Sequence, residues 1–391
     1  MLSSLFRSRS AQDDRSVSPA AGNIAFALDL YGQLKNSTGN IFFSPYSIST
    51  CLAMTYAGAR GDTEKQMAEV LHFSRDQKQL HASFERLREQ LEAGKQEGIE
   101  LNIANALWTQ AGYPFRRAFI EMVARKYQAN LNQANFLMEA EAARQEINQW
   151  VRERTQEKIN EILPPSSVGP LTRLILANAI YFKGLWAKPF EESATSTEPF
   201  HLSSTRKTPV PLMHHFDEVK YMEESEFQVV ELPYKGYGLS MVLFLPRELH
   251  LSRMEDRLNE SLLSRSLAQL RKREVEIFLP RFKLEFGLEL QDTLAGMGMP
   301  DAFREGKADF SGMTKTNELW ISGIYHKAWG EVNEEGTEAT AATIVDMVGC
   351  ISMTSPPPPP VFRADHPFIF LIRDVHTGTI LFLGRLTNPE I

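Results

Sequence analysis

At roughly 150 residues per domain, a chain of 391 residues could hold two or three domains or one large one. Hydrophobic residues make up 43% and charged residues 23%, which excludes a disordered or collagen-like protein. A formal net charge of −7 argues against a broad basic surface for nucleic acid or anionic membrane, and no apolar run approaches the ~18 residues of a membrane span.

The first twenty residues have too short an apolar stretch for a secretory signal, and Asp13 and Asp14 argue against a transit peptide. Residues 1–20 therefore read as a disordered tail on a cytoplasmic protein, with release from the cell as the alternative. Helical spacing then follows over Asn23 to Leu34, and Ser44-Pro45 opens a second helix, Tyr46 to Ala59. Further helices are predicted over Thr63 to Leu71, Gln77 to Ala93, Arg116 to Tyr127 and Ala140 to Thr155, with a strand at Leu101 to Trp108 among them.

From Leu171 the character changes. Leu174 to Phe182, Phe227 to Leu232, Leu239 to Leu245, Val275 to Leu279 and Lys283 to Phe286 read as strands, then Leu288 to Gly296 as a helix. Phe368 to Arg373 and Thr379 to Leu386 form two closing strands. His214-His215 reads as part of a solvated loop with at most weak metal affinity. Helices first and strands later predict an α+β fold with a mainly antiparallel sheet.

Five consecutive prolines, Pro356 to Pro360, are the one linker-like stretch. The thirty or so residues beyond them are too few for a second core, so the last strands return to the main body and residues 21–391 form one domain. Two cysteines, Cys51 and Cys350, cannot staple a chain of this size, so stability rests on its core.

Before the prolines comes the segment Glu331-Val-Asn-Glu-Glu-Gly-Thr-Glu-Ala-Thr-Ala-Ala-Thr-Ile-Val-Asp-Met, which from Thr337 onward can be read with period two. Thr337, Ala339, Ala341, Thr343, Val345 and Met347 share an uncharged face, small residues first; Glu338, Thr340, Ala342, Ile344 and Asp346 share the other. One reading is an ordinary edge strand. The sharper one is a segment that exists both as a loop and as an inserted central strand, since inward side chains must then fit without clash. Burial of Val345 and Met347 would contribute roughly 1.5–3 kcal/mol each.

These residues resemble those of the serpin family over almost the whole chain, Asn23 to Pro389. Asn40-Ile-Phe-Phe-Ser-Pro-Tyr-Ser47 is similar to the opening of the family's second helix, and Leu176-Ala-Asn-Ala-Ile-Tyr-Phe-Lys-Gly-Leu-Trp186 to a strand of its main sheet. Asp309-Phe-Ser-Gly312 resembles a turn beyond the sheet, Glu331 to Ala339 the hinge of the reactive loop, and Asp365-His-Pro-Phe368 with Leu383-Gly-Arg-Leu386 the closing strands. The hinge sequence and scarcity of cysteine are most similar to the intracellular, leukocyte-elastase-inhibitor branch.

The resemblance implies the serpin fold, about nine helices around three β-sheets with an exposed reactive loop over 334–362 that can insert into the main sheet. It implies an inhibitor that works as a suicide substrate: a serine protease cuts the loop, and the cut loop inserts before the acyl-enzyme hydrolyses. The inhibitor supplies no catalytic group and needs no cofactor or metal, and a monomer suffices. The hinge maps to Glu334, Gly336, Thr337, Glu338, Ala339, Thr340, Ala341, Ala342 and Thr343. Counting from Glu334, the family's scissile bond falls at Cys350–Ile351, with Met347 and Met353 as alternatives. These residues, and the lack of Lys or Arg from Val332 to Phe362, suit an elastase- or chymotrypsin-like pocket. Ser44, Ser47, Asn178 and His326 match a polar cluster under the point where the sheet opens, and Trp186 the residue packed where the loop first enters. Arg385 reads as structural and Cys51 as buried and inert.

The chain also departs from the pattern. Gly330 stands where an aliphatic residue is usual and Trp329 where Phe is usual, and a glycine weakens a strand interior. The stretch from Cys350 to His366 is lengthened by the proline run, which in polyproline II would span ~15 Å. Competing readings are a non-inhibitory chaperone or ligand carrier and a cross-class inhibitor of papain-like cysteine proteases. An enzyme is disfavoured: no His-Glu-x-x-His, Gly-x-Ser-x-Gly or phosphate-binding loop is present. Arg271-Lys272-Arg273 is too short for a heparin site.

Overall fold

The computed structural model describes residues 19–93, 98–129, 131–316, 318–336 and 358–390. The N-terminal half is helical, with α1 (Pro19–Leu34), α2 (Pro45–Tyr56), α3 (Gly61–Val70), α4 (Gln77–Ala93), α5 (Arg117–Tyr127) and α6 (Phe136–Arg154). Helix α1 begins two residues inside the stretch read as tail, because proline suits a first helical position. Helix α2 carries its own start signal: the Ser44 hydroxyl accepts the Ser47 N–H at 3.1 Å and Pro45 follows at once. Interleaved with these helices are β1 (Ile41–Phe43), β2 (Ile99–Gln110) and β3 (Leu131–Ala134).

The second half supplies β4 (Leu174–Gly184), β5 (Ser196–His201), β6 (Lys207–Glu223), β7 (Phe227–Pro233), β8 (Leu239–Pro246), α7 (Ser252–Arg257) and α8 (Glu260–Gln269). It continues with β9 (Arg271–Pro280), β10 (Phe282–Glu289), α9 (Gln291–Met297), β11 (Ile321–Val332), β12 (Val361–Arg363), β13 (Phe368–Asp374) and β14 (Ile380–Leu386). Strand β10 thus runs to Glu289, into the stretch expected to be helical from Leu288. Phe282, Leu284, Phe286 and Leu288 alternate with charged residues and a glycine, and that period of two outweighs the short helical reading.

His214 and His215 lie inside β6, not in a loop. Pro209 and Pro211 hid that strand from the sequence, yet both are accommodated because this half pairs with the off-path strand β5, Pro199 opposite Pro209. His214 stacks on Phe278 (ring centroids 4.6 Å) and meets the Glu276 carboxylate at 3.2 Å.

A five-stranded sheet has the order β10-β11-β4-β2-β3, and a nine-stranded sheet the order β1-β14-β13-β8-β7-β6-β9-β12 with β5 on β6. The family's three sheets are present as these two hydrogen-bonded units, since the long strands β6 and β9 run unbroken from one half of the larger sheet to the other. The closing strands β13 and β14 return between β1 and β8.

In the smaller sheet β11 and β4 are parallel neighbours, while β10 and β2 flank them antiparallel. Strand β4 is buried on both faces, which explains its apolar run, broken within Leu174 to Phe182 only by Asn178. On one face Ala177, Ala179, Tyr181, Tyr325 and Trp329 pack under α6 and the segment after it, through Ala143, Ile147, Val151, Ile159 and Leu163. On the other face Leu174, Leu176 and Ile324 join the core built on α1 and α2.

Candidate functional site

The parallel seam between β11 and β4 carries the polar residues singled out in the sequence. His326 is the register partner of Asn178, and Asn178 of Asn105, so three polar side chains form one row across β11, β4 and β2. Ser44 and Ser47 reach this row from the start of α2. The Ser44 backbone N–H donates to His326 Nε2 at 3.1 Å, which makes Nε2 the acceptor and leaves the proton on Nδ1, bonded to Asn178 Oδ1. The Asn178 amide then donates to Ser47 Oγ at 2.6 Å and to Asn105 Oδ1, and Ser47 Oγ donates to Asn105 Oδ1 at 3.2 Å. Burial holds the His326 imidazole neutral, its pKa lowered to about 3. Every heteroatom of the row has a partner, so parting the seam must break several buried hydrogen bonds together.

Asn105 was missed. In the sequence it is one polar residue in an apolar strand; only the register of β2 on β4 sets it opposite Asn178.

Trp186 stands apart from this row, beyond the end of β4, at the hinge. Its indole stacks on Tyr234 (centroids 4.7 Å, 8° between planes) with Phe190 edge-on, and its Nε1–H donates to the Asn333 carbonyl at 2.9 Å. The Trp186 backbone N–H donates to the Glu335 carbonyl at 3.0 Å and that of Phe190 to the Glu334 carbonyl at 2.8 Å. The start of the hinge is therefore docked on the end of β4 and is not free loop. At Gly336 φ is +92°, and a Cβ would fall 2.2 Å from the Gly184 carbonyl oxygen and 2.3 Å from the Trp186 nitrogen. Only glycine fits there.

Glu334 is buried at 3% exposure, its carboxylate accepting from Thr195 Oγ1 and Arg281 Nε, each at 2.5 Å. Sequence reasoning placed Glu334 in the hinge but did not find this clamp, whose partners lie 139 and 53 residues away. At the other end of the loop, Val361 and Phe362 belong to β12, and the Glu276 N–H donates to the Pro360 carbonyl at 3.0 Å. Within 334–362, the described residues at both ends are thus docked on the body. Thr337, Glu338, Ala339, Thr340, Ala341, Ala342, Thr343, Met347, Cys350, Ile351 and Met353 lie outside the described residues, as do Pro356 and Pro357.

Only a small cavity remains beside Gly330. Phe42 of β1 fills the space, its ring 3.0 Å from where a Cβ would be, in a stack with Phe382 (4.9 Å) and Phe370 (5.9 Å). Strand β11 stays paired on both sides through Gly330. Cys51 is buried, and burial pushes its thiol pKa well up, which makes it unreactive. The Arg385 guanidinium bonds the Lys35, Ser37 and Gly39 carbonyls and pairs with Glu255 at 2.8 Å, joining β14 to α1 and α7.

The segment Asn333 to Gly336, the parallel seam and the polar row beneath it thus lie together on one sheet. The family profile described as serpin (serine protease inhibitor) matches residues 21–389, and the chain belongs to the serpin family. Among its relatives are leukocyte elastase inhibitors. That of Xenopus tropicalis is 40% identical over 373 residues, 93% of this chain and 97% of that protein. The one from Homo sapiens is 40% identical over 381 residues, 95% and 99% of the two chains. An uncharacterized serpin-like protein of Thermococcus kodakarensis is also 40% identical, over 366 residues, 94% of this chain and 84% of that one. Of the solved structures, uncleaved ovalbumin superposes with a TM-score of 0.86 at 31% identity, covering 95% of this chain and 100% of that chain.

Proposed function

We propose that the protein inhibits elastase- or chymotrypsin-like serine proteases as a suicide substrate. The observation that carries this reading is the closed parallel seam with the hinge turned back onto it. A chain leaving the end of β11 and reversing at Gly336 runs antiparallel to β11 and equally to β4, because those two strands are parallel. Insertion therefore exchanges one parallel ladder for two antiparallel ones, the slightly more stable pairing. The small uncharged residues Thr337, Ala339 and Ala341 suit entry, and the charged Glu338 falls on the other face.

The target enzyme's own nucleophile opens the Cys350–Ile351 bond, and insertion must outrun deacylation. The leukocyte elastase inhibitor relatives support the choice of target class. The protein acts in the cytoplasm as a monomer in this reading, with the protease as its covalent partner.

Incubation with elastase-, chymotrypsin- and papain-like enzymes tests this. A denaturant-resistant complex should form with the serine enzymes, and the released peptide should begin at Ile351. A start at Val348 or Thr354 would move the bond to Met347 or Met353. Cleavage without a complex, and without a gain in thermal stability, would favour a non-inhibitory carrier.

A further inference from the structure

Side chains alternate along a strand, so Tyr325, Lys327 and Trp329 share the face of β11 turned toward α6. Each of the three reaches the segment that follows α6. Tyr325 Oη donates to the Ser167 carbonyl at 3.4 Å, Lys327 Nζ donates to the Glu161 carbonyl at 2.8 Å, and Lys158 Nζ lies 4.9 Å from the centre of the Trp329 ring. Asn148 fastens that segment to α6, its Oδ1 accepting the Ile162 and Leu163 N–H at 2.9 Å and its Nδ2 donating to the Leu163 carbonyl at 3.0 Å. These links form a row of staples along the seam. Trp329 is the rung nearest the hinge, and Trp329 also packs across the seam on its register partner Tyr181, ring centroids 5.1 Å apart.

We propose that Trp329 is a positioning residue that sets the rate of strand insertion, with Lys158 as the cation that holds it closed. This rests on the inhibitory reading above. A strand entering between β11 and β4 moves them from neighbours, about 4.8 Å apart, to about twice that, and the Trp329–Tyr181 contact is lost. The segment carrying Lys158 is tied through Asn148 to α6, which packs against β2 and β4, so it stays on the β4 side as β11 moves away. A second cation, Lys283 Nζ, sits 5.4 Å from the same ring, but Lys283 belongs to β10, the antiparallel partner of β11. That pair stays together when the seam parts. The two lysines therefore differ in one respect: the Lys158 contact breaks on insertion and the Lys283 contact survives it. Tryptophan strengthens the hold, since its ring binds a cation better than the phenylalanine usual at this place.

The test uses the intact protein and a synthetic peptide of residues 337–349, which anneals into the seam without any protease. Annealing is followed by native electrophoresis, and the stoichiometry of inhibition is measured with chymotrypsin. Lys158→Met and Trp329→Phe should anneal roughly three- to fivefold faster and lower the stoichiometry. Lys158→Arg, which keeps the cation, and Lys283→Met should both behave as wild type. Raising the salt concentration should speed the wild type but not Lys158→Met. A wild-type rate in Lys158→Met, or equal acceleration by Lys283→Met, would overturn the proposal while leaving the inhibitory reading intact. A wild-type protein that neither anneals the peptide nor traps a protease refutes both.

Discussion

The neutral His326 beneath the seam makes stability depend on pH in a calculable way. Its pKa is about 3 in the folded chain against an ordinary 6.5, first because it is buried. His81 of α4, bonded to Tyr127 Oη at 2.6 Å, is likewise lowered to about 4 by burial and by the nearby Lys126 and Arg60 charges. Above pH 6.5 both rings are neutral in the folded and unfolded chains, and their full contribution is present. As the pH falls through 6.5 the unfolded chain takes up protons that the folded chain refuses until about pH 4 and 3, so stability is lost on the way down.

At pH 5 the loss is about 2 kcal/mol for each histidine, or about 4 kcal/mol together. Replacing His326→Gln removes one of these titrations and should shrink the difference in unfolding free energy between pH 7.5 and pH 5 by about 2 kcal/mol. Urea unfolding followed by tryptophan fluorescence at several pH values measures this, and carboxylates common to both proteins cancel in the comparison. The same pH slope in His326→Gln and wild type would refute the reasoning, whatever the absolute stability of the variant.

The hinge offers further tests. Glu334→Gln removes the charge that Arg281 and Thr195 grip; because Arg281 is 37% exposed and can rehydrate, the loss should be about 2–3 kcal/mol, read from urea unfolding. Gly336→Ala forces a Cβ into backbone atoms at 2.2 and 2.3 Å, and should lower thermal stability and shift the fluorescence of Trp186 beside it. Gly330→Val should cost about 1–3 kcal/mol by crowding Phe42, and a double-mutant cycle with Phe42→Leu should recover part of it; simple additivity would show that the ring is not the obstacle. On the proposed inhibitory reading, with the proline run expected to act as a polyproline II spacer, replacing Pro356 to Pro360 by Gly and Ser should slow complex formation; an unchanged association rate would contradict that role.

Much of this architecture is legible in the chain because local signals agree with the final structure. Ser44-Pro45 starts α2 through a side-chain cap and a missing N–H, and β4 announces its double-sided burial by a nearly continuous apolar run. What stayed hidden depended on partners far along the chain. Strand β6 carries prolines that a strand tolerates only beside a partner such as β5, and β11 carries His326, Lys327 and Gly330, whose places are set by α2, the segment after α6 and β1. The polar residues of the row were readable from the family resemblance, but the wiring among them was not. Asn105 and the Glu334 clamp acquire meaning only once strands are in register. The departures at Gly330 and Trp329 also changed meaning, one being filled from below by Phe42 and the other held from above by Lys158.

Strand β6, 17 residues long, spans roughly 55 Å and binds the two halves of the larger sheet into one frame. In mechanical terms it is a spar. Tension applied to the chain just before β12 passes from β12 through β9 into β6 as shear, spread over many hydrogen bonds at once. Strand β12 has only three residues, so it is the fuse in that load path: a pull strong enough to do damage peels β12 away while the frame keeps its shape.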